Sequence, residues 1–386
     1  MNIQEHSNLA IKEKIQTPKV CDYCVLPLNY KGAHFSLDEF GKRKCNFCMN
    51  HTEKCFKGKE ALLNDIDLEK NEKIGIMVSG GKDGLFAWMT LCDLFGSENV
   101  IAFNYHKTGL VHPLAVQNIK NASKLLNSQV VIVEDKDFKE RFKKNLKAFL
   151  KKPDPALVRV ALCSGCRYGI TGKLYEYANS KYNIKKFVSA ASYLELAPFK
   201  NELLKEKGNG NSKYGLIKGL GENPAYNFDQ NIEIILRDDN LTYKIKSNYT
   251  GVKSNFSNYK LIDFDDYFPN NPSYYEKEVK KRLNWNCPKN SWRFDCIIES
   301  FKDFFYYGLL GYTETDYKIS EMIRYKLIDR NEGLKQIDDY HKNMNESIED
   351  ILNILENLNL DDLKKEFITF YLESPYFEKT TQSNIT

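Results

Sequence analysis

The chain has 386 residues, of which 42% are hydrophobic and 13% aromatic, so it can bury a sizeable core in about two or three domains. Its net charge of +4 comes from 56 basic and 52 acidic side chains, and this near balance does not indicate a nucleic-acid-binding face. The sequence contains no signal-like segment and no apolar run long enough to span a bilayer. We therefore expect a soluble, cytoplasmic protein without a membrane partner.

The first region, residues 1–70, carries five of the ten cysteines. Four of them form two Cys-x-x-Cys pairs, Cys21 with Cys24 and Cys45 with Cys48. Each pair can present two thiolates from one tight turn, and two such turns complete a tetrahedral structural zinc site. In a cytosolic chain metal binding is preferred to disulfides. The spacing therefore predicts a zinc-ribbon module, followed by a short connecting helix over residues 60–68.

The second region, residues 71–215, alternates strand-like and helix-like patterns. Apolar runs predict strands at 74–78, 100–105, 129–133 and 187–191, and helical spacing predicts helices at 84–94, 113–126, 134–152 and 167–181. Such alternation indicates a doubly wound parallel sheet covered by helices. In sheets of this class the ligand binds beyond the carboxyl ends of the strands.

The first strand of this region runs directly into a short glycine-rich segment, Ser79-Gly80-Gly81-Lys82-Asp83-Gly84. Two successive glycines permit a tight turn and let a ligand approach the main chain. The helix that follows presents free N–H groups and its positive dipole end at that place, and Lys82 adds a full charge. This combination predicts a phosphate or pyrophosphate site.

The third region, residues 216–386, begins with a loop and two predicted strands, 232–236 and 241–246, and then becomes mostly helical. The last dozen residues are polar and predict a disordered tail. A helix-spaced apolar stripe predicts a face that is buried either in the core or in a homodimer; its members are Ile348, Ile351, Leu352, Leu355 and Leu358.

A third Cys-x-x-Cys pair, Cys163 and Cys166, lies before a predicted helix of the second region, and Cys287 and Cys296 follow in the third. Three interpretations stay open. The pair could bind a second metal ion together with Cys287 or Cys296. It could carry a persulfide or an iron–sulfur cluster for sulfur transfer, or it could only pack in the core.

The glycine-rich segment resembles the pyrophosphate loop (PP-loop) of ATP pyrophosphatases, usually Ser-Gly-Gly-x-Asp-Ser, with Gly84 in place of the final serine. The order of further motifs is similar to that of N-acetyl sugar amidotransferases. These motifs are the two N-terminal cysteine pairs, Cys-x-x-Cys-Arg-x-Gly-Ile at 163–170, Ser-Trp-Arg-Phe-Asp-Cys at 291–296, and the stretch 315–334 with its Thr-Asp-Tyr, Met-Ile-Arg and Asp-Arg-Asn-Glu-Gly-Leu. The resemblance implies a HUP-like nucleotide domain between the zinc ribbon and a helical substrate region.

The resemblance to N-acetyl sugar amidotransferases also implies a reaction. The acetamido oxygen of a free or nucleotide-linked N-acetyl sugar attacks ATP, pyrophosphate leaves, and ammonia then displaces AMP to give an acetamidino group. Such chemistry belongs to surface-glycan or nonulosonic-acid biosynthesis and uses ATP, Mg²⁺ and, in the ribbon, Zn²⁺. Because the chain has no recognisable glutaminase domain, the expected partner is a separate glutaminase or ammonia-channel protein.

The resemblance assigns roles to individual residues of this sequence. Ser79, Lys82 and Asp83 are the expected catalytic residues. The expected nucleotide-binding residues are Val78, Ser79, Gly80, Gly81, Lys82, Asp83, Gly84, Asn104 and Ala190. The substrate candidates are Lys107, His112, Arg293, Asp295 and Arg324.

Two other classes of protein compete with this interpretation. One is a PP-loop sulfur transferase that thiolates tRNA or a small molecule through Cys163 and Cys166. Against it, residues 189–195 lack the Gly-His-Asn-x-x-Asp stretch of such thiolases, and the modest charge disfavours tRNA. The other is a non-catalytic zinc-ribbon module with a degenerate loop, which only Gly84 suggests.

Overall fold

A computed structural model describes residues 20–136, 138–206, 260–288 and 295–377. Within this part of the chain, five parallel strands form a sheet in the order β5-β4-β3-β6-β7, and two short strands form a separate antiparallel hairpin. The hairpin strands are β1 (Phe35–Leu37) and β2 (Arg43–Cys45), and the sheet strands are β3 (Ile74–Met77), β4 (Val100–Lys107), β5 (Gln129–Asp135), β6 (Lys186–Ser189) and β7 (Lys260–Asp263).

Fourteen α-helices lie in the described residues: α1 (Asn46–Met49), α2 (Gly58–Ile66), α3 (Lys82–Phe95), α4 (Pro113–Leu126), α5 (Phe138–Lys151), α6 (Val158–Tyr168), α7 (Tyr175–Tyr182), α8 (Phe199–Glu206), α9 (Pro272–Leu283), α10 (Ile298–Leu310), α11 (Glu314–Arg324), α12 (Arg330–Glu346), α13 (Ile348–Asn357) and α14 (Lys364–Glu373). A π-helical segment at Gly169–Leu174 joins α6 to α7. Short 3-10 turns occur at Ser97–Asn99, Pro155–Leu157, Tyr193–Glu195, Phe264–Asp266 and Asp361–Leu363.

Both faces of the parallel sheet are buried, which explains its near-continuous apolar strands. Ile76 and Ala102 lie on one face, in a cluster shared with α3, α4 and α9. Ile101 and Phe103 lie on the other face, in a cluster shared with α5, α6 and the C-terminal helices. The successive side chains of a strand point to opposite faces, so each strand contributes to both clusters. The sheet is therefore enclosed between two helical layers, and its carboxyl edge is the place left for a ligand.

The predicted fold class is confirmed: a four-cysteine N-terminal module precedes a parallel-sheet domain, and a mostly helical region follows it. The fifth strand, however, comes from 260–263, within the region that the sequence analysis assigned to the C-terminal part. The strand was missed because its apolar stretch is only two residues long, Leu261 and Ile262. The strands predicted at 232–236 and 241–246 lie outside the described residues.

Other differences concern the helices. Cys163 and Cys166 lie inside α6 and not before a helix, because buried Val158, Ala161 and Leu162 continue a helical pattern through the pair. The apolar stripe that begins at Ile348 forms α13 and is buried within the chain, as its core interpretation predicted.

The C-terminal end of the described residues is packed. In the tail predicted to be disordered, the ring of Phe377 lies 4.8 Å from those of Phe304 and Tyr371, and residues 378–386 lie outside the described part. Among the described residues, no helix combines the length and the apolar character needed to cross a membrane.

The central strand can be tested at Gly75. A β-carbon placed there would lie 2.6 Å from Phe187 Cε1 and 2.8 Å from Ile184 Cγ2. We expect Gly75→Ala to lower the free energy of unfolding in urea by about 1–3 kcal/mol, because the added carbon overfills the core. Gly84→Ala is the matched control, since a β-carbon on Gly84 would meet nothing nearer than 3.7 Å. Equal stability of the two variants would contradict this packing.

Candidate nucleotide site and metal centre

The glycine-rich segment lies at the carboxyl end of β3, the central strand of the sheet. One neighbour of β3 is β4, which follows it directly in the sequence, and the other is β6, which the chain reaches only after crossing the sheet. The strand order therefore reverses at β3, and ligands of such sheets bind at the crevice that this reversal opens. The loop occupies the position where a phosphate site was predicted.

Gly80 is held in a conformation that requires glycine. Its φ angle is +94°, and a β-carbon there would lie 2.3 Å from the carbonyl oxygen of Ala115 in α4. The loop backbone is thus packed directly on the backbone of the next helix. Gly81 then caps α3 in an extended conformation, without a side chain that accepts from the helix.

The loop contributes six backbone N–H groups, those of residues 79–84. Within the described part of the chain, neither a carbonyl nor a side chain accepts a hydrogen bond from any of these six groups. The first four N–H groups of a helix are commonly left in this way, and here the loop adds further donors before them. Free donors at a helix start favour anions, and this chemistry fits the phosphates of a nucleotide.

Lys82 and Asp83 supply the charges of the loop. Lys82 Nζ lies 3.1 Å from Asp83 Oδ2. Burial works to lower the pKa of Lys82, but the carboxylates of Asp83, Glu195 and Glu276 outweigh it and raise that pKa, so the amine is charged. Asp83 Oδ1 is buried and has no hydrogen-bond partner among the described residues. A carboxylate oxygen left in this state fits Mg²⁺, which binds nucleotide phosphates through one or two carboxylates.

Val78, Asn104 and Ala190, which were predicted to bind the nucleotide and would there face its adenosine, lie side by side at the ends of neighbouring strands. Asn104 Nδ2 donates to the carbonyl oxygen of Val78 at 2.8 Å. The register that pairs Ile76 with Val188 places Val78 opposite Ala190 just beyond the paired residues. The structure therefore brings these three positions together at the carboxyl edge, and their contact with adenosine stays a prediction.

The substrate candidates are distributed differently. Asp295 lies at the loop, with Oδ2 3.7 Å from the place of a β-carbon on Gly81. His112 caps α4, where its Nδ1 accepts from the N–H of Leu114 at 3.2 Å. Lys107 ends β4 and is only 7% exposed. Arg293 lies outside the described residues.

Arg324 is far more enclosed than a substrate contact would require. It is 9% exposed, its Nη2 donates to Glu321 Oε1 at 2.8 Å, and its Nη1 donates to Cys24 Sγ at 3.4 Å. The structure thus gives this arginine a contact with the cysteine module, and its role towards a sugar stays a prediction.

Of the other four candidate cysteines, Cys163, Cys166, Cys287 and Cys296, only some lie close together. Lys107 Nζ lies 3.6 Å from Cys166 Sγ and 3.3 Å from Cys296 Sγ. Burial raises the pKa of Cys296 to about 11, although the Lys107 charge opposes this. Cys163 lies on the same helix as Cys166, and Cys287 packs in the core cluster on the other face of the sheet. Among the described residues these four do not form a group close enough to share one ion.

Several residues at the site were missed by the sequence analysis. Trp285 Nε1 donates to the carbonyl oxygen of Gly80 at 2.9 Å, and Asn118 Nδ2 donates to the same oxygen at 3.4 Å. Asp265, just after β7, accepts from the N–H of Tyr193 at 3.0 Å, and burial raises the pKa of its carboxyl to about 7, with the charges of Asp263 and Asp83 adding to the effect. The sequence alone does not reveal such contacts of a tryptophan or an asparagine, because the contacts join residues that are far apart in the chain.

The four N-terminal cysteines form a preassembled metal centre. Their sulfur atoms all lie within 4.8 Å of one another, with 3.9 Å between Cys21 and Cys48 and 3.8 Å between Cys24 and Cys45. A tetrahedral ion bound by thiolates at about 2.3 Å would place the sulfurs about 3.8 Å apart. The predicted ligand set is therefore brought together in a geometry that fits Zn²⁺, while the identity of the metal stays a prediction.

Two arginines attach this module to the helical region. Arg330 donates to the carbonyl oxygens of Cys21 and Cys24, both at 3.1 Å, and Arg324 reaches the Cys24 sulfur. Tyr30 stacks on Tyr317 of α11 with ring centroids 5.8 Å apart. The module is thus packed into the main body of the protein.

Comparisons with known proteins leave the family open. No family model matches the chain, and no curated protein matches it. Among solved structures the chain is similar to the U34-tRNA thiolase NcsA from Methanococcus maripaludis with its 4Fe-4S cluster, at 15% identity and a TM-score of 0.34 over 82% of this chain and 87% of that chain. It is also similar to the NH3-dependent NAD synthetase from Campylobacter jejuni subsp. jejuni, at 18% identity and a TM-score of 0.28 over 50% of this chain and 90% of that chain. At such low scores the functional argument depends on the residues of the chain itself.

The metal centre can be tested by removing one ligand. We expect purified protein to contain one zinc ion per chain, and we expect Cys45→Ser to lose it and to lower the free energy of unfolding by roughly 3 kcal/mol or more. Cys55→Ser is the control, because Cys55 is exposed and lies outside the cluster. Metal analysis and thermal melting measure both effects. A Cys45→Ser protein that keeps its zinc and melts with the control would disprove the assignment.

Proposed function

We propose that this protein is a PP-loop ATP pyrophosphatase that adenylates the acetamido oxygen of an N-acetyl sugar and then replaces that oxygen with ammonia. The main support for ATP binding is the set of six backbone N–H groups at residues 79–84, which have no acceptor among the described residues and lie beside the side chains of Lys82 and Asp83. The sugar half is supported by the order of motifs along the chain, which resembles that of N-acetyl sugar amidotransferases.

In the proposed first step the acetamido oxygen attacks the α-phosphorus of ATP, and the bond from that phosphorus to the bridging oxygen of pyrophosphate breaks. The loop N–H groups hold the leaving pyrophosphate, and Lys82 neutralises the charge that grows on it. Asp83 would hold Mg²⁺, which would neutralise further charge on the phosphates. The acetamido oxygen then carries AMP.

In the proposed second step ammonia adds to the activated carbon of the former acetamido group. The bond from this carbon to oxygen breaks, AMP leaves with that oxygen, and an acetamidino group remains. The ammonia comes from a separate glutaminase or ammonia-channel partner. The resemblance to N-acetyl sugar amidotransferases supports a role of this reaction in surface-glycan or nonulosonic-acid biosynthesis.

A second candidate function, sulfur transfer, is favoured by one observation. Cys166 and Cys296 both lie within hydrogen-bond distance of Lys107 Nζ, at the end of the strand next to the loop. Sulfur bound there would attack an adenylated substrate in place of ammonia. Anaerobic purification separates the candidates, because a brown, iron-containing protein favours sulfur transfer and a colourless one that contains zinc alone favours the amidotransferase.

The proposed function is tested by ATP–pyrophosphate exchange in the presence of free and nucleotide-linked acetamido sugars. We expect exchange that depends on one of these sugars, with AMP as the nucleotide product. Lys82→Ala should lower the rate about 100-fold or more, because the charge on the leaving pyrophosphate is no longer neutralised. The exposed Lys281 supplies the control, and Lys281→Ala should exchange at the wild-type rate. Formation of ADP alone would refute the proposal.

Gly84 stands where PP-loops usually have serine, and this difference allows a gain-of-function test. A β-carbon at this position would lie no closer than 3.7 Å to Met77 O and Val78 Cα, so a serine fits without displacing the loop. We expect Gly84→Ser to bind ATP about fivefold more tightly, since its hydroxyl adds one hydrogen bond to phosphate. Gly84→Ala controls for the methylene group and should bind like the wild type in calorimetry. Equal affinities of the serine and alanine variants would mean that no phosphate reaches this position.

A further inference from the structure

Two carbonyl groups of the loop are held by side chains from elsewhere in the chain. The Val78 oxygen accepts from Asn104 Nδ2 at 2.8 Å. The Gly80 oxygen accepts from Trp285 Nε1 at 2.9 Å and from Asn118 Nδ2 at 3.4 Å. The carbonyl oxygens of Val78 and Gly80 are therefore both anchored by buried side chains.

Anchoring a carbonyl also fixes the N–H group that follows it. In a trans peptide the C=O of one residue and the N–H of the next lie in one plane and point in opposite directions. The bond to Gly80 O therefore turns the Gly81 N–H outward, and the bond to Val78 O does the same for the N–H of Ser79. These are the first and third donors of the row that lacks acceptors among the described residues.

The Gly80–Gly81 peptide needs such an anchor more than most. A peptide between two glycines can rotate at low energy, because neither residue has a β-carbon to restrict it. Gly80 is already in the left-handed region, at φ +94°. An external donor on its carbonyl oxygen therefore decides which way the following N–H group points.

Trp285 is well placed to hold this peptide. It is 5% exposed and lies two residues beyond the end of α9. The next residue, Asn286, exchanges two hydrogen bonds with the Asn118 amide: its N–H donates to Asn118 Oδ1 at 3.1 Å and its carbonyl accepts from Asn118 Nδ2 at 2.8 Å. The indole and the Asn118 side chain thus form one connected support beneath the loop.

We propose that Trp285 is a positioning residue that, together with Asn118, aims the Gly81 N–H at the pyrophosphate portion of ATP. The inference rests on the proposed function, because it requires that the loop bind these phosphates. It predicts a selective effect: removing the indole N–H weakens binding of pyrophosphate and ATP but leaves binding of AMP unchanged, since AMP lacks the β and γ phosphates.

The test compares two tryptophans. Trp88 is fully buried in α3 and its Nε1 donates to Ser128 Oγ at 3.0 Å, so Trp88→Phe also removes one buried indole hydrogen bond from the same domain. Calorimetry with inorganic pyrophosphate, ATP and AMP measures the affinities. We expect Trp285→Phe to lose about tenfold in affinity for pyrophosphate and to keep its affinity for AMP. Trp88→Phe should keep both affinities, and in exchange assays Trp285→Phe should show a raised KM for ATP.

Each other outcome overturns one of the two claims. If the wild-type protein binds neither pyrophosphate nor ATP, the proposed function fails. The positioning role fails if the wild type binds both ligands and Trp285→Phe binds pyrophosphate with the same affinity. It also fails if the variant loses affinity for pyrophosphate and for AMP to the same degree. Should Trp285→Phe not fold, the near-isosteric Asn118→Leu replaces it. Asn118→Leu must show the same selective loss of affinity for pyrophosphate. If it binds pyrophosphate as tightly as the wild type does, the role of this support is refuted.

Discussion

The site depends on the close contact between the backbone of Gly80 and the backbone of α4. This contact leaves no room for a β-carbon, since one would lie 2.3 Å from the Ala115 oxygen. It forces the chain to turn sharply between the central strand and α3, and the turn leaves the N–H groups of residues 79–84 without acceptors among the described residues. The proposed phosphate site would thus be formed by the backbone, and the sequence contributes chiefly by placing glycine where nothing else fits.

The charges around the loop also affect whether a pyrophosphate group can bind there. Asp83 and Asp265 are close enough that the charge of Asp83 helps to raise the pKa of Asp265, and the carboxylates of Glu195 and Glu276 act on Lys82. A pyrophosphate group entering among these carboxylates would be repelled by them. Asp83 Oδ1 is buried and has no partner among the described residues, so a divalent cation bound there would relieve the repulsion.

Much of this architecture could be predicted from local patterns. The strand before the loop, the helix over 113–126 and the two cysteine pairs were found because each signal lies within a few residues of sequence. The strand at 260–263 was missed because four residues carry little periodicity and its pairing with β6 spans a long separation. The role of Trp285 was missed for the same reason of long sequence separation, because Trp285 lies 205 residues from Gly80. Spacing along the chain does not show which buried donor meets which carbonyl.

The C-terminal motif makes contacts that its sequence pattern did not indicate. Arg324 was expected to contact the substrate, because guanidinium groups favour anions, and that role stays a prediction. In the structure Arg324 donates to the sulfur of Cys24, and Arg330 donates to the carbonyl oxygens of Cys21 and Cys24. One face of α11 therefore holds the metal module, and Lys318 of the same helix pairs with Glu195 at 2.9 Å, whose charge in turn acts on Lys82. Contacts thus lead from the cysteine module through α11 to Glu195, and the charge of Glu195 acts on the lysine of the loop.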